Sequence, residues 1–434
     1  MKTISKRIRA VAAAAALTLT VGLAGCGAPA STTPVESTSF TYWSMWKIDE
    51  PQQKVIATAI ADFEKETGIK VQTEWQGRGN YQKLTPALNT NTVPDLIDGP
   101  YSKAHPALVA TDQALGLQSV FDMTVDGKKV SELIPAKYSK DIDIKLADGQ
   151  PWMVPYQIQS DAMWYNAANF PELKTNPPKT WDEFMTVLGK VKAGGKMAPV
   201  AADGDIGGYN ASWLTTLIIR ELGPGGLAKI AADKSGEAWK APEVLAAATR
   251  VQQMVKGGYV IDGFAASKFP LQQQKWADNK AAFIFMGSWL PTESSSYVAK
   301  GFDVQSFPFP KTGTFDSARV DFSGWSTPKK AKNADAAKKF MAFFMKKKYQ
   351  DMWGAEAKGI PVREDAASAP ELAGVQAAIK AASSSHMAGD GVAYPGYNEK
   401  VFWPVSDSLF HGKITAQEFV DKMVKDQKAY WASQ

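Results

Sequence analysis

Two periods of apolar and polar residues succeed one another along the body of the chain. Residues 40–43 (FTYW) are aromatic and β-branched, the composition of a strand. From 52 to 67 the apolar positions Val55, Ile56, Ala59, Ile60 and Phe63 return every three or four residues, the spacing of one helix face, and Gly68 ends the run. Residues 69–75 read as strand again, 81–89 as helix and 94–97 as a short buried strand. This β-α-β-α-β order predicts an α/β fold, mainly parallel sheet with helices on both faces. Two later helix starts carry the capping-box pattern, at Thr180-Trp181-Asp182-Glu183 and Thr415-Ala416-Gln417-Glu418, which satisfies free N–H groups of the first turn. Asn333 reads as the cap of a further helix that turns Phe340, Phe343 and Phe344 inward. That helix is expected to end in the solvated lysines 346–348, placed to favour its dipole.

The head of the chain is patterned differently. Lys2, Lys6, Arg7 and Arg9 precede an apolar run over 10–24 that, at about 15 residues, is shorter than the ~20 a spanning helix needs. It reads as residues 1–25 of a secretory signal, and its end, Leu23-Ala24-Gly25-Cys26, resembles a bacterial lipobox. In that motif Cys26 is lipidated and becomes the new N-terminus; an ordinary signal peptide with an incidental cysteine is the competing reading. Residues 26–39 are polar and proline-interrupted, as a flexible tether would be. The chain is thus expected to be exported and held by lipid on the outer face of the cytoplasmic membrane. No second long apolar stretch follows, so it is not expected to be a channel or permease itself.

At 434 residues there is enough chain for two or more cores, at roughly 100–200 residues per domain. Setting the four basic residues of the head aside leaves 45 Lys and Arg against 44 Asp and Glu. That balance gives no electrostatic case for nucleic acid as a partner. One cysteine excludes a disulfide framework and cysteine-based metal sites, and His105, His386 and His411 are far apart, so no metal is expected. Nor is a cofactor. There is no Gly-x-Ser-x-Gly and no Walker loop, and after Gly77 and Gly79 it is Gln82 that stands where a dinucleotide fingerprint needs its third glycine. Acid pairs such as Asp141 and Asp143 read as solvated surface rather than as a glycosidase dyad.

The stretch from Trp152, WMVPYQIQSDAMWYNAANFPELKTNPPKTWDEF, resembles the extracellular solute-binding proteins of ATP-driven importers, in the carbohydrate-binding group that includes maltose-binding protein. The matching pieces are Val154-Pro155, Tyr165-Asn166 and Pro178-Lys179-Thr180-Trp181-Asp182-Glu183. Further blocks follow in the family's order: NKAAFIFMGSW over 279–289, Phe307-Pro308-Phe309-Pro310 through Ser323-Gly324-Trp325, and Gly359-Ile360-Pro361-Val362. The resemblance implies a two-lobed periplasmic-binding-protein fold with the ligand cleft between the lobes. It places the N-terminal lobe at 40–155 plus 279–326 and the C-terminal lobe at 156–278 plus 327–434. It further implies a non-enzymatic, monomeric receptor that delivers a sugar or oligosaccharide to the permease subunits of an importer. A secreted carbohydrate hydrolase is the alternative.

A sugar offers hydroxyls at its edges and apolar C–H faces, so its site needs aromatic platforms beside planar polar groups. Trp46 lies in a polar loop just past the first strand, with a core role as the alternative. Asp98 and Tyr101 follow the strand ending at Ile97, a position that often faces ligand in the family; Asp98-Gly99-Pro100 also fits a plain turn. Gln157, Gln159 and Asp161 alternate along one strand face, polar where a buried strand should be apolar, so they fit a cleft or else a solvated edge. Asp203, Asp205, Tyr209, Asn210 and Trp213 cluster ahead of an apolar helix, as sugar contacts or, more weakly, a calcium loop. Gly287, Ser288 and Trp289 leave the end of a buried strand, and Trp325 follows Ser323-Gly324 in a matching position. Arg363 is a candidate hydroxyl clamp or a surface ion pair. Trp403, Tyr394 and Tyr397 are candidates for stacking or packing.

Overall fold

The computed structural model describes residues 37–136, 138 and 144–434. The signal segment, Cys26, the tether up to residue 36, Asp141 and Asp143 lie outside the described residues.

In chain order the principal strands are β1 (Ser39–Ser44), β2 (Lys70–Trp75), β3 (Leu96–Pro100), β4 (Val154–Gln159), β5 (Asp161–Asn166), β6 (Ala198–Ala201), β7 (Ala281–Gly287), β8 (Val304–Phe307), β9 (Ser317–Arg319), β10 (Asp321–Ser326), β11 (Ile360–Pro361) and β12 (Ser384–His386). They form a six-stranded sheet in the order β11-β4-β10-β3-β1-β2 and a four-stranded sheet in the order β8-β5-β7-β6. With helices packed on these sheets, the fold is α/β and two-lobed. The mainly parallel character expected from the sequence holds in part: among the described residues, β1–β2, β1–β3, β6–β7 and β9–β12 pair in parallel. β10 runs antiparallel to both β3 and β4, and β7 antiparallel to β5, because these strands carry the chain to and from the other sheet instead of closing βαβ units.

The chain passes between the sheets three times: from β4 to β5 at Ser160, from β8 to β10, and in the stretch after β11. Its path differs from the expected division. β7 and β8 belong to the four-stranded sheet, not with β10, and the helices Ala334–Phe344 and Lys347–Ala355 pack in the core of the six-stranded sheet. Residues 279–326 are therefore shared between the sheets. An apolar strand such as β7 is buried on both faces wherever it sits, so its composition does not say which sheet receives it.

Local signals are realised where they are self-contained. The helix Pro51–Thr67 buries Val55, Ile56, Ala59 and Phe63 and stops at Gly68, whose φ of 74° is the left-handed C-cap glycine favours. Both capping boxes form: Thr180 Oγ1 accepts from the Glu183 N–H at 3.3 Å, and Thr415 Oγ1 from that of Glu418 at 3.2 Å. Asn333 occupies its N-cap position but its side chain makes no cap bond. The neighbouring Asp95 carboxylate instead accepts the Lys332 and Asn333 N–H groups, at 2.8 Å each, and the Asn333 side-chain amide. The lysines 346–348 lie at the junction of two helices and pair with Glu66, Asp351 and Asp62, so they are ion-paired rather than merely solvated.

The heavy tryptophan content goes largely into the core: Trp152, Trp164, Trp239, Trp276, Trp325 and Trp353 are fully buried. Trp325 is walled in by Tyr156, Phe344 and Phe340, with ring centroids at 4.5, 4.7 and 5.7 Å. Trp213 sits between Phe285 and Phe309 in the other core. These two leave no face for a ligand, which corrects their assignment as binding residues.

Candidate functional site

Loops from the ends of both sheets converge near Ser160. On the six-stranded side, the turn after β1 is built around Asp98. Its carboxylate accepts the Met45 N–H at 2.7 Å and the Tyr156 hydroxyl at 2.8 Å. That hydroxyl in turn accepts the Trp46 indole N–H at 3.2 Å, so a buried relay sets the Trp46 ring. Arg78, in the turn after β2, covers this ring, its guanidinium carbon 4.5 Å from the centroid. The same guanidinium reaches the Met45 carbonyl and both Glu50 oxygens, at 2.9 and 3.1 Å. Trp46 is 5% exposed and Asp98 is fully buried, so both support the wall of the site from behind.

Burial pushes the Asp98 carboxyl up to about 6, against hydrogen bonds from Met45 and Tyr156 that favour its charged form. An acid whose folded value lies above its ordinary one is a cost to the fold above pH ~6, relieved as pH falls toward ~4. Stability measured by urea unfolding should therefore rise for the wild type relative to Asp98→Asn between about pH 7.5 and pH 4. The expected change is on the order of 3 kcal/mol. A difference that stays flat with pH would show that Asp98 does not titrate there.

On the four-stranded side, β7 ends at Gly287. Ser288 then donates its N–H to the Ser160 carbonyl at 2.8 Å, and Ser160 donates its own to the Ser288 hydroxyl at 3.3 Å. The Trp289 ring folds back over Gly287 so closely that a Cβ there would lie 2.1 Å from a ring carbon; only glycine permits this rotamer. Trp289 is half-buried. Tyr209, in the first turn of the helix Gly207–Leu222, faces it at 6.4 Å with planes 31° apart. Arg319 lies 5.6 Å from the Trp289 ring and is pinned by Asp161 at 2.7 Å and Asp321 at 2.5 Å. Burial raises the Asp161 carboxyl more than Arg319 lowers it. Behind Tyr209, the half-buried Trp403 packs beside Gly207 and Gly208, where a Cβ added at Gly208 would lie 3.4 Å from its ring.

Glu293 joins the two sides. Its carboxyl is raised chiefly by burial, while Arg78 from one side favours its charge and Asp203 from the other opposes it. Burial raises the Tyr209 hydroxyl first, and Glu293 raises it further. Two aromatic rings thus stand among carboxylates and guanidinium groups contributed from both sheets.

Of the residues singled out from sequence, Gly287, Ser288, Trp289, Tyr209 and Asp161 meet here, with Trp46 behind them. Asp205 is exposed at the rim, where it accepts the Phe269 N–H at 2.8 Å, and the buried Asp203 accepts that of Gln272. Asn210 is buried and donates to Asp407 at 3.0 Å. Gln157 is buried in an inner strand, not a solvated edge, and its side-chain oxygen has no partner among the described residues; Gln159, two residues on, is half-buried. Tyr101 stacks on His105 at 5.2 Å. Tyr397 and Tyr394 pack against Tyr430 and Trp431. Arg363 is no clamp: its buried guanidinium is spent on Asp126, Asp365 and the Met345 carbonyl. Sequence reading passed over Glu50, Arg78, Glu293 and Arg319. Of these only Arg319-x-Asp321, charges alternating at the head of a strand, left a readable signal.

The sequence profile of the family described as bacterial extracellular solute-binding protein matches residues 48–351. Over 228 residues the chain is 25% identical to the diacetylchitobiose binding protein NgcE of Streptomyces coelicolor; the match covers 52% of this chain and 48% of that protein, less than half its length. A maltooligosaccharide ABC transporter solute-binding lipoprotein of Streptococcus pneumoniae is 22% identical across 85% of this chain and 84% of its own. Among solved structures, a chitin oligosaccharide binding protein superposes with a TM-score of 0.71 at 21% identity, covering 91% of this chain and 99% of that one. At that identity the likeness concerns the fold.

Proposed function

Since the chain belongs to the bacterial extracellular solute-binding protein family, we propose that it captures a sugar or oligosaccharide between its lobes and hands it to an ATP-driven permease. The observation that carries this reading is the Trp289–Tyr209 pair at the junction of the lobes. Flat rings suit the C–H faces of a pyranose, while Glu293, Arg78 and Asp205 offer planar groups for its hydroxyls. The relatives named for diacetylchitobiose and maltooligosaccharides support the same ligand class.

The test is a titration of tryptophan fluorescence with chito-, malto- and xylo-oligosaccharides, each run beside an amino-acid and a dipeptide panel. A saturable response to one sugar series supports the proposal. A response to amino acids or peptides alone sinks the sugar, and products of the bound sugar seen by chromatography sink the receptor in favour of a hydrolase.

Anchoring by lipid at Cys26 completes the reading, supported by the Leu23–Cys26 pattern and by a relative described as a lipoprotein. Cys26→Ser is expected to move the protein from the membrane fraction to the soluble one. Retention of the variant in membranes would refute the anchor.

A further inference from the structure

Behind the junction, away from Trp289 and Tyr209, lies a cavity of about 550 Å³, within the ~300–1,000 Å³ range of small-molecule sites. All three passages between the sheets line it. The first gives Ser160 and Asp161, the second Asp316 to Arg319, and the third Ala378, Ala381 and His386. A neighbouring hollow of about 490 Å³ shares Pro177, Pro308, Ala378 and Ala381 with it.

Its lining combines the apolar Phe285, Phe309 and Ala378 with the cationic Lys179, Arg220, Lys311 and Arg319. Arg319 is matched by Asp161 and Asp321. A single carboxylate, Asp316, serves both Arg220 at 3.1 Å and Lys311 at 2.7 Å. Arg220 is buried; its terminal nitrogens donate to Asp316 and to the Phe309 and Phe315 carbonyls, and its Nε–H has no partner among the described residues. Lys179 at the rim is in no ion pair among the described residues. Burial, with Arg220 and Arg319 nearby, pushes the His386 imidazole down to about 3, so it is neutral and adds no charge. Its Nδ1 lies 2.8 Å from the Ser317 hydroxyl. The cavity therefore holds more cation than its own carboxylates answer, beside apolar side chains.

We infer that this cavity is a second binding site, for a small amphiphilic monoanion: a carboxylate held between Lys179 and Arg220, with its apolar body against Phe285, Phe309 and Ala378. Because the three passages form its walls, its shape depends on the angle between the lobes, and an occupant is coupled to solute binding in both directions. Arg319 touches both places, lining the cavity while its guanidinium faces the Trp289 ring.

The test is calorimetric titration of the full chain with 2-naphthoate, with 2-naphthylmethanol as the uncharged control. Saturable binding of naphthoate, at least about tenfold tighter than of the alcohol, is expected. Ala378→Phe, which fills the cavity, and Lys179→Glu, which reverses the rim charge, should each weaken it about tenfold or more. No binding of naphthoate, equal binding of acid and alcohol, or undiminished binding in Lys179→Glu overturns the site. Lys179 is exposed, so that variant decides the matter if Ala378→Phe fails to fold. The coupling rests on the receptor reading and has its own readout: naphthoate should shift the sugar affinity. An unchanged sugar affinity with naphthoate bound overturns the coupling and leaves the site standing.

Discussion

Trp289→Ala weakens sugar binding by at least about 30-fold while the protein melts close to the wild-type temperature. The ring is half-buried, so truncation costs little packing, yet its position is fixed by the short backbone of Gly287 and by the Ser288–Ser160 bonds. A platform ordered before the ligand arrives loses little entropy on binding, and aromatic anchors of this kind contribute ~2 kcal/mol or more, which is the fold-change stated. Gly287→Ala provides an independent check. Its added methyl cannot coexist with the present ring position, so affinity should fall with the Trp289 side chain intact. Normal titrations in both variants would remove Trp289 from the site. A large loss of melting temperature in Trp289→Ala, with the folded fraction binding normally, would make it a core residue.

Trp325→Ala has the opposite profile. About 3–5 kcal/mol of folding stability should be lost, as is usual when a large buried aromatic ring is truncated in a core that cannot collapse around the cavity. The ring is 0% exposed, wedged among Tyr156, Phe340 and Phe344, and its indole N–H donates to the Tyr42 hydroxyl at 3.4 Å. Urea unfolding measures the loss directly. Full stability with lost sugar binding would return Trp325 to the cleft and overturn its place in the core.

Those two tryptophans show where sequence reading stops. Both follow a serine–glycine or glycine–serine pair at a strand end, and as letters they are equivalent. What separates them is their place along the strand: Trp325 lies within β10, paired with Asp98 of β3 and Val154 of β4, whereas Trp289 lies beyond the end of β7. Every residue of β10 is buried, on both faces of the sheet, so Trp325 is enclosed there. The capping boxes and the Pro51–Thr67 helix were legible because their partners lie within one turn. Arg363 was not, because Asp126, its partner at 2.6 Å, is 237 residues away in the chain. The same holds for Arg78 and Glu293, which meet only once both sheets are assembled. The division of the chain between the lobes was missed for a related reason: strand composition reports burial, not membership of a sheet.

The bonds between Ser160 and Ser288 have a kinetic consequence. A point on a rotating body moves in proportion to its distance from the axis, and Ser160 is where the chain first passes between the sheets. If, on the proposed function, the lobes close around a sugar, Trp289, one residue beyond Ser288, lies near the pivot, whereas Glu50 and Arg78 are carried by loops of the six-stranded sheet. Encounter and retention then fall to different residues. On that reading the ring would meet an arriving sugar first, and Trp289→Ala is expected to slow its capture in stopped-flow titration. Groups on the moving side would meet the sugar last, so substitutions at Glu50 or Arg78 are expected to shorten its residence and leave the capture rate unchanged.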